Sequence, residues 1–273
     1  MRTVSFVLPA LNEEANIPTV LSLIPHEALA SQGWRSEVVV VDNGSTDATA
    51  TLAKAYGASV VHQPERGYGR AYQAGFAAAA GDVIVTGDTD CTYPLDHAPN
   101  LVEALEESNV DFLSTNRLLA ANRGAMSMSH RLANRLLTTV SRALMPSPFC
   151  DSQSGMWVFR TAILNHLRLN EPGMAFSQEL KNEAFLRGFR CAEVEIEYRT
   201  RGGDVKLQAW SDGVKNLTQL ARHRIGHGSG RPRTMQECPA LPARPLARPH
   251  VVDLRDVDLR ERVNTAQTAH APE

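Results

Sequence analysis

The chain has 273 residues, a formal net charge of −2, and 43% hydrophobic and 21% charged residues. This length suffices for one large domain or two small ones, and the composition is typical of a globular protein. The small net charge provides no general attraction to nucleic acid, so nucleic acid is not an expected partner.

The cysteines and the apolar segments bear on the compartment. The four cysteines have no C-x-x-C spacing, which predicts reduced thiols in a cytoplasmic protein without a zinc site or disulfide framework. The N-terminus lacks the features of a signal peptide, and no apolar run approaches the roughly 20 residues that span a bilayer. We therefore expect any membrane contact to be peripheral, on the inner face of the cell membrane, or through a partner.

The first third of the chain alternates between predicted strands and helices. Runs of apolar, mostly β-branched residues predict strands at 4–8, 37–41, 59–62 and 83–85. Apolar spacing and capping residues predict intervening helices, one with Asn12 as its N-cap and two more at 48–56 and 71–80. This order predicts a parallel sheet with right-handed crossovers, whose strand-end loops open on one edge.

Polar loops follow the second and third strands. Asp42 stands directly after the second strand, where an acidic group often holds a ribose or base, whereas Asp47 is better explained as a cap of the next helix. The loop Arg66-Gly67-Tyr68-Gly69-Arg70 can approach a diphosphate closely, although a plain connection explains it equally well.

The most informative stretch runs from Gly81 to Pro94, where Asp88 and Asp90 end the fourth strand. Residues i and i+2 of an extended chain point the same way, so the two carboxylates can share Mg²⁺ or Mn²⁺, cations that also bind phosphates. A D-x-D pair alone is a weak signal, but its position at a strand end favours a metal site.

The second half contributes further helices, strands and cationic residues. Helices are predicted at 101–107 and 177–187, and strands at 110–114, 156–159 and 191–198. Between them, the segment 126–145 predicts an amphipathic helix that carries Leu132, Leu136, Val140 and Leu144 in one row, beside Arg131, Arg135 and Arg142. Either this helix packs on the domain or it contacts a membrane surface.

Two loops and a tail complete the sequence. Asp151 is either a turn residue or a site residue, and the cation-rich loop 199–206 either closes over a phosphorylated substrate or is a solvated surface loop. A last amphipathic helix is predicted to begin near Leu207. After Gly226 the chain is rich in Pro, Arg and Ala, so we expect a domain at 1–226 and a disordered tail at 227–273.

Several of these stretches together resemble the family 2 glycosyltransferases of the GT-A fold. They are Pro9-Ala10-Leu11-Asn12-Glu13-Glu14, the segment 41–47, and Gly81-Asp82 leading to Asp88-Thr89-Asp90. The segments 151–155 and 199–207 resemble the branch that contains dolichyl-phosphate mannose synthase and related polyprenyl-phosphate sugar transferases. The resemblance covers about residues 3 to 220 and implies an α/β fold with a mostly parallel central sheet flanked by helices.

The resemblance also implies a donor site. It implies a GDP- or UDP-sugar donor, a divalent cation (Mg²⁺ or Mn²⁺) and inversion at the anomeric carbon. The implied donor contacts are Pro9, Leu11, Glu13, Asp42, Asp88 and Thr89, with Asp88 and Asp90 as the metal ligands. Asn43 stands where many family members have Asp, which bears on base recognition.

The implied acceptor is a polyprenyl phosphate, with Arg117 and Arg131 on its phosphate and Asp151 near the reaction centre. Arg201 and Lys206 would hold phosphate charge from the closing loop. A phosphate acceptor is already an anionic nucleophile and needs positioning rather than a base, whereas a hydroxyl acceptor would need a base, for which Asp151 is the candidate.

Other functions remain open. The same donor chemistry could serve a soluble acceptor in a secondary or cell-wall pathway, or the chain could be a degenerate nucleotide-binding homologue without turnover. A sugar-phosphate nucleotidyltransferase is disfavoured because no Gly-rich loop with a lysine directly follows the first strand.

Overall fold

The computed structural model describes residues 1–119, 121–124, 128–144 and 148–201. The strands are β1 (Arg2–Ala10), β2 (Trp34–Asp42), β3 (Ser59–His62), β4 (Val83–Thr86), β5 (Phe112–Asn116), β6 (Trp157–Arg160) and β7 (Cys191–Glu195). The α-helices are α1 (Ile17–Ser22), α2 (His26–Ser31), α3 (Thr49–Ala55), α4 (Tyr68–Ala78), α5 (Ala98–Glu107), α6 (Met128–Leu144) and α7 (Phe176–Leu186). Short 3-10 helices lie at Leu95–His97, Ala121–Gly124 and Thr161–His166.

The seven strands form one mostly parallel sheet, as predicted, in the order β3-β2-β1-β4-β6-β5-β7. The first four strands pair in parallel, and β5 pairs in parallel with β7. Only β6, among the strands that the structure describes, runs antiparallel to its neighbours β4 and β5. The strand order reverses between β1 and β4, and such a reversal is where open α/β sheets bind ligands.

Helices cover both faces of the sheet, which explains the unbroken valine run of β2. Val38 and Val40 belong to the core on the side of α1, α2, α3 and α5, whereas Val39 and Val41 belong to the core on the side of α4 and α7. A strand buried on both faces needs apolar residues at every position. An aromatic cluster in the second core, which includes Tyr72, Trp157 and Phe176, lies beneath the candidate site.

The helix predicted after β1 differs from the observed structure. Asn12 is not its N-cap, because its backbone has a φ of 51° and α1 begins only at Ile17, after Asn16. Ile24 lies in neither helix, because α1 ends at Ser22 and α2 begins at His26, with Pro25 at its N-cap position.

The C-terminal predictions lie largely outside the described residues. These include Lys206, the helix predicted from Leu207 and the tail at 227–273, so the domain division stays a prediction. Within the described part of the chain, no helix combines the length and apolar character required to cross a membrane.

Candidate active site

The loops after β1 and β2 are fastened to each other at the carboxyl edge of the sheet. The side chain of Asn12 accepts a hydrogen bond from the backbone N–H of Thr46 (2.8 Å), and Glu14 accepts one from Ala48 (2.9 Å). The backbone N–H of Glu13 donates to the hydroxyl of Thr49 (2.8 Å). Residues predicted to start a helix therefore connect the loop after β1 to the start of α3.

The predicted donor residues gather along this edge. Pro9 and Asp42 lie at the ends of the paired strands β1 and β2, and the carbonyl of Pro9 accepts a hydrogen bond from the hydroxyl of Thr89 (2.9 Å). This bond crosses from β1 to the loop after β4, at the reversal of strand order. Leu11 and Glu13 are half-buried in the loop that continues β1.

The carboxylate of Asp42 is buried and already has partners in the chain. One oxygen accepts a hydrogen bond from the backbone N–H of Ser45 (2.9 Å), and the other lies 3.2 Å from Nδ1 of His62. Asp47, in the same loop, accepts a hydrogen bond from the backbone N–H of Thr49 (3.0 Å), the first residue of α3. Asp47 thus satisfies a helix terminus, as its capping interpretation predicted.

Asn43 supports the loop that follows β3. Its amide donates to the carbonyl oxygens of Gln63 (3.0 Å) and Glu65 (2.8 Å), and its oxygen accepts from the backbone N–H of Gly67 (2.7 Å). Only an amide can donate both bonds and accept the third, because a carboxylate has no donor.

The glycine-rich loop at 66–70 is a packing element. The backbone N–H groups of Gly69 and Arg70, at the start of α4, donate to the carbonyl of Pro172 (3.0 and 3.2 Å). A Cβ atom on Gly69 would lie 1.9 Å from the carbonyl oxygen of Glu171, so only glycine fits there. The plain connection therefore explains these glycines better than a diphosphate contact.

Tyr68, between those glycines, is a site residue that sequence reasoning missed. Its hydroxyl donates to Oδ1 of Asp88 (3.0 Å). The sequence predicts a loop at Tyr68, whereas the structure makes it the first residue of α4, and its bond to Asp88 depends on how α4 packs across the sheet.

Asp88 and Asp90 lie together, as the D-x-D spacing predicted. Burial and the negative charge of Asp90 raise the pKa of Asp88 to about 7, against the opposing effects of Tyr68, Arg117 and Arg201. Asp90 is 3% exposed, and its Oδ1 accepts hydrogen bonds from the backbone N–H (3.1 Å) and hydroxyl (2.6 Å) of Thr92. Its Oδ2 accepts a hydrogen bond from the guanidinium of Arg201.

The carboxylates of Asp88 and Asp90 suit a Mg²⁺ or Mn²⁺ site that is completed by substrate phosphates. Within the described residues, no group of three or more His, Cys, Asp or Glu side chains could enclose an ion. Two neighbouring carboxylates are the usual protein contribution to Mg²⁺ or Mn²⁺ when substrate phosphates and water complete the shell. Burial is the main cause of the raised pKa of Asp88, and the negative charge of Asp90 is the second; a cation bound by both carboxylates would oppose both effects.

Asp151 and Arg117 form a buried ion pair. Nε and Nη2 of Arg117 donate to the two carboxylate oxygens (2.8 and 3.1 Å), and the backbone N–H groups of Arg117 and Gln153 donate to them as well (both 3.1 Å). Asp151 is 0% exposed. Burial would raise its pKa, but the charge and hydrogen bonds of Arg117 lower it below the usual value.

This geometry does not suit a general base, because the carboxylate of Asp151 is enclosed and already accepts four hydrogen bonds. It suits a residue that orients Arg117, whose guanidinium carbon also lies 5.2 Å from the ring centre of Tyr198 and 5.9 Å from that of Tyr93. Asp151 therefore holds the guanidinium of Arg117 in a fixed position near Asp88 and Asp90.

A lysine that the sequence did not single out supports this pair. Nζ of Lys181 donates to the carbonyl oxygen of Asp151 (2.6 Å), and the residue is 1% exposed. Glu193 accepts hydrogen bonds from the backbone N–H groups of Cys150 (2.8 Å) and Asp151 (3.2 Å). Burial lowers the pKa of Lys181 to about 8, although the charges of Asp151 and Glu193 oppose this effect.

Helix α6 packs on the site through its polar side. Arg131, Thr138 and Ser141 are buried, and the hydroxyl of Thr138 bonds to both the side chain and the backbone N–H of Ser152 (3.1 Å each). Arg131 therefore lies on the side of α6 that faces the loop of Asp151.

The opposite side of α6 is apolar and faces solvent. Met128, Leu132 and Leu136 are 81%, 69% and 63% exposed. The helix therefore packs on the domain, as one of its two interpretations predicted, but through its polar side, whereas Leu132 and Leu136 are exposed.

Comparison with known proteins gives the same assignment as these motifs. The family model described as Glycosyl transferase family 2 matches residues 5–168. A low-salt glycan biosynthesis hexosyltransferase of Haloferax volcanii is 33% identical over 227 residues, which are 82% of this chain but only 54% of that protein. A dolichyl-phosphate hexose transferase of the same organism is 34% identical over 76% of this chain and 88% of its own length.

The solved structures agree. The crystal structure of glucosyl-3-phosphoglycerate synthase from Mycobacterium tuberculosis in complex with uridine diphosphate has a TM-score of 0.66 and 27% identity, covering 82% of this chain and 80% of that one. The same enzyme in complex with Mn²⁺, uridine diphosphate and phosphoglyceric acid has a TM-score of 0.61 and 28% identity, covering 83% of this chain and 77% of that one. On the family match and these relatives, the chain belongs to the family 2 glycosyltransferases.

Proposed function

We propose that this protein transfers a hexose from a nucleotide-diphosphate sugar to a polyprenyl phosphate, with inversion and with Mg²⁺ or Mn²⁺. The observation that carries the proposal is the meeting of Asp88 and Asp90 with Arg117 and Arg201 at one sheet edge. The dolichyl-phosphate hexose transferase among the relatives supports this acceptor class.

In this proposal the donor lies across the reversal of strand order. Its nucleoside contacts Pro9, Leu11, Glu13 and Asp42, and Thr89 fixes the adjoining backbone through its bond to Pro9. Asp88 and Asp90 hold the cation, which supplies positive charge to the donor diphosphate when bound. Arg201, together with Lys206 from outside the described residues, binds the phosphate charge that develops as the diphosphate leaves.

The acceptor phosphate binds to Arg117 and Arg131. One of its oxygens attacks the anomeric carbon from the face opposite the diphosphate, so a carbon–oxygen bond to the acceptor forms as the bond to the leaving diphosphate breaks. No proton needs to be removed, because the nucleophile is already an anion. Asp151 therefore acts by fixing Arg117 rather than as a base.

The exposed apolar side of α6 favours a lipid acceptor over a soluble one. Met128, Leu132 and Leu136 lie outward, while Arg131 on the other side faces the site. A helix in this orientation can rest on a membrane surface with its apolar side in the interface, which would present a lipid-linked phosphate to the arginines. In this proposal the protein works as a peripheral protein on the cytoplasmic face of the membrane.

A second candidate function is transfer to a soluble phosphorylated acceptor. The M. tuberculosis neighbour was crystallised with phosphoglyceric acid, which is also anionic. Arg117 and Arg131 would suit either acceptor, so the presence of a lipid chain distinguishes the two candidates.

The test is a transfer assay with UDP-glucose or GDP-mannose and Mn²⁺. One set of reactions contains dolichyl phosphate in phosphatidylglycerol vesicles, and the other contains 3-phosphoglycerate without lipid. We expect labelled sugar in the lipid fraction with one donor and no product after removal of the metal by EDTA. Product only with 3-phosphoglycerate would establish the second candidate, and no turnover of either donor would indicate a binding protein without activity.

A further inference from the structure

Both carboxylate oxygens of Asp90 accept hydrogen bonds from other residues of the chain. Oδ1 accepts two hydrogen bonds from Thr92, and Oδ2 accepts one from Arg201. The side chain of Asp90 is only 4% exposed, and that of Arg201 is 26% exposed. A cation that binds Asp90 would therefore compete with the guanidinium of Arg201 for Oδ2.

The guanidinium of Arg201 acts on both aspartates. It donates a hydrogen bond to Asp90, and its positive charge also attracts the nearby carboxylate of Asp88. Arg201 thus supplies, with a single positive charge, part of the neutralisation that a divalent cation would supply.

We propose that Arg201 takes the place of the metal in the unliganded site and transfers to the donor diphosphate when the metal arrives. This inference rests on the proposed function and adds a binding order to it: the cation enters with the nucleotide rather than before it. Arg201 would then disfavour binding of the metal alone and favour binding of the metal together with the nucleotide.

The exchange follows from charge balance. A divalent cation held by Asp90 would repel the guanidinium of Arg201, because two positive charges a few ångströms apart in a partly buried site interact strongly. The phosphates of the nucleotide offer Arg201 a replacement anion, and the fork of a guanidinium matches phosphate oxygens. Without the nucleotide, the displaced Arg201 has no such replacement.

The experiment measures Mn²⁺ binding by titration calorimetry, with and without UDP or GDP, for the full-length protein and the variant Arg201→Ala. Arg199→Ala is the matched control, because Arg199 is similarly half-buried but pairs with Asp96 (2.9 Å) instead of Asp90. Thermal unfolding of each variant checks that it is folded.

Without nucleotide, we expect Arg201→Ala to bind Mn²⁺ about tenfold more tightly than the wild type, the factor that corresponds to one charged hydrogen bond. With Mn²⁺ present, the same variant should bind nucleotide more weakly. Arg201→Gln keeps a donor for Asp90 but removes the charge, so its Mn²⁺ affinity should lie between the two. Arg199→Ala should match the wild type in both measurements.

Two results would count against the inference in different ways. Unchanged or weaker Mn²⁺ binding by Arg201→Ala, with normal nucleotide binding by the wild type, would overturn the exchange and leave the proposed function standing. Absence of nucleotide binding by the wild type in the presence of Mn²⁺ would overturn both.

Discussion

The side-chain amide of Asn43 supports a loop at the carboxyl edge of the sheet. Its amide donates two hydrogen bonds to carbonyl oxygens and accepts one, fixing the path of residues 63–67 beside the site. The sequence motif suggested that this position bears on base recognition. The structure instead gives the side chain a supporting role in the loop that leads to Tyr68.

We therefore predict that Asn43→Asp destabilises the protein by about 2–4 kcal/mol, because two carbonyl oxygens lose their donor and face a buried negative charge. Urea denaturation would measure this change. Asn12→Asp is the control, since the oxygen of Asn12 accepts its bonds from Thr46 and an aspartate can still do so. Equal effects of the two substitutions would contradict the role assigned to Asn43.

Asp151 gives a second prediction at the scale of a residue. Asp151→Asn leaves the guanidinium of Arg117 buried without its counter-charge, which we expect to cost about 3–5 kcal/mol of stability. Asp111→Asn is a matched control, because Asp111 binds Arg190 through the same bidentate pattern in a more exposed place. That control should cost only about 1 kcal/mol.

The pH dependence of sugar transfer tests the same residue for catalysis. If Asp151 only orients Arg117, residual activity of Asp151→Asn should keep the shape of the wild-type pH profile. A general base would behave differently, because its removal would abolish the acidic limb of the profile. Loss of that limb with unchanged stability would return Asp151 to the role of a base.

The sequence predicted several residues of the site but not the contacts that these residues make with one another. The D-x-D pair was found because its spacing and its position after a strand have a direct geometric meaning. The bond of Tyr68 to Asp88 and the pairing of Asp151 with Arg117 join residues 20 and 34 positions apart. Such contacts depend on tertiary packing, which local patterns do not determine.

At the scale of elements, the predicted positions of the strands and of helices α6 and α7 agree with the structure, but which sides of these two helices are buried depends on tertiary packing. Valine-rich strands are buried on both faces, so composition and structure agree. In α7, every residue from Phe176 to Ala184 is buried, although six of them (Ser177, Gln178, Glu179, Lys181, Asn182, Glu183) are polar. The polar side chains hold neighbouring loops, as Lys181 and Glu179 do, and no local pattern in the sequence indicates these contacts.

Helix α6, in contrast to α7, exposes large apolar side chains, and this exposure leads to a prediction about membrane binding. Leu132→Ser with Leu136→Ser should weaken binding to phosphatidylglycerol vesicles by at least about tenfold, since each leucine in an interface contributes about 1.5–3 kcal/mol when fully buried. Vesicle co-sedimentation would measure this. The stability of the free protein should change little, because both side chains are exposed.

Ala133→Ser with Ala143→Ser is the matched control for that pair. Both alanines are exposed on the same helix, and the change introduces the same two serines without removing large apolar groups. Vesicle binding that survives the leucine substitutions, or that falls equally in the control, would show that this side of α6 does not contact lipid.

At the scale of the whole molecule, buried charged residues from three separate elements meet at the loop that contains Asp151. Lys181 comes from α7, Glu193 from β7 and Arg117 from the loop after β5, and all three meet the segment 150–153. The stability of the fold and the orientation of Arg117 therefore depend on the same residues, and buried ionisable groups make that stability depend on pH.

Lys181 gives the sign of this dependence. Its pKa falls from 10.5 to about 8 on folding, so between these pH values the unfolded chain holds a proton that the folded chain has released. Stability consequently rises with pH in this window, and wild type should gain about 2 kcal/mol relative to Lys181→Met between pH 7 and pH 10. Urea unfolding at the two pH values measures the difference, and Lys54→Met, at an exposed lysine, reports the effect of losing a solvated lysine. A stability difference between wild type and Lys181→Met that stays constant with pH would mean that the buried ammonium keeps its proton throughout, stabilised by Asp151 and Glu193.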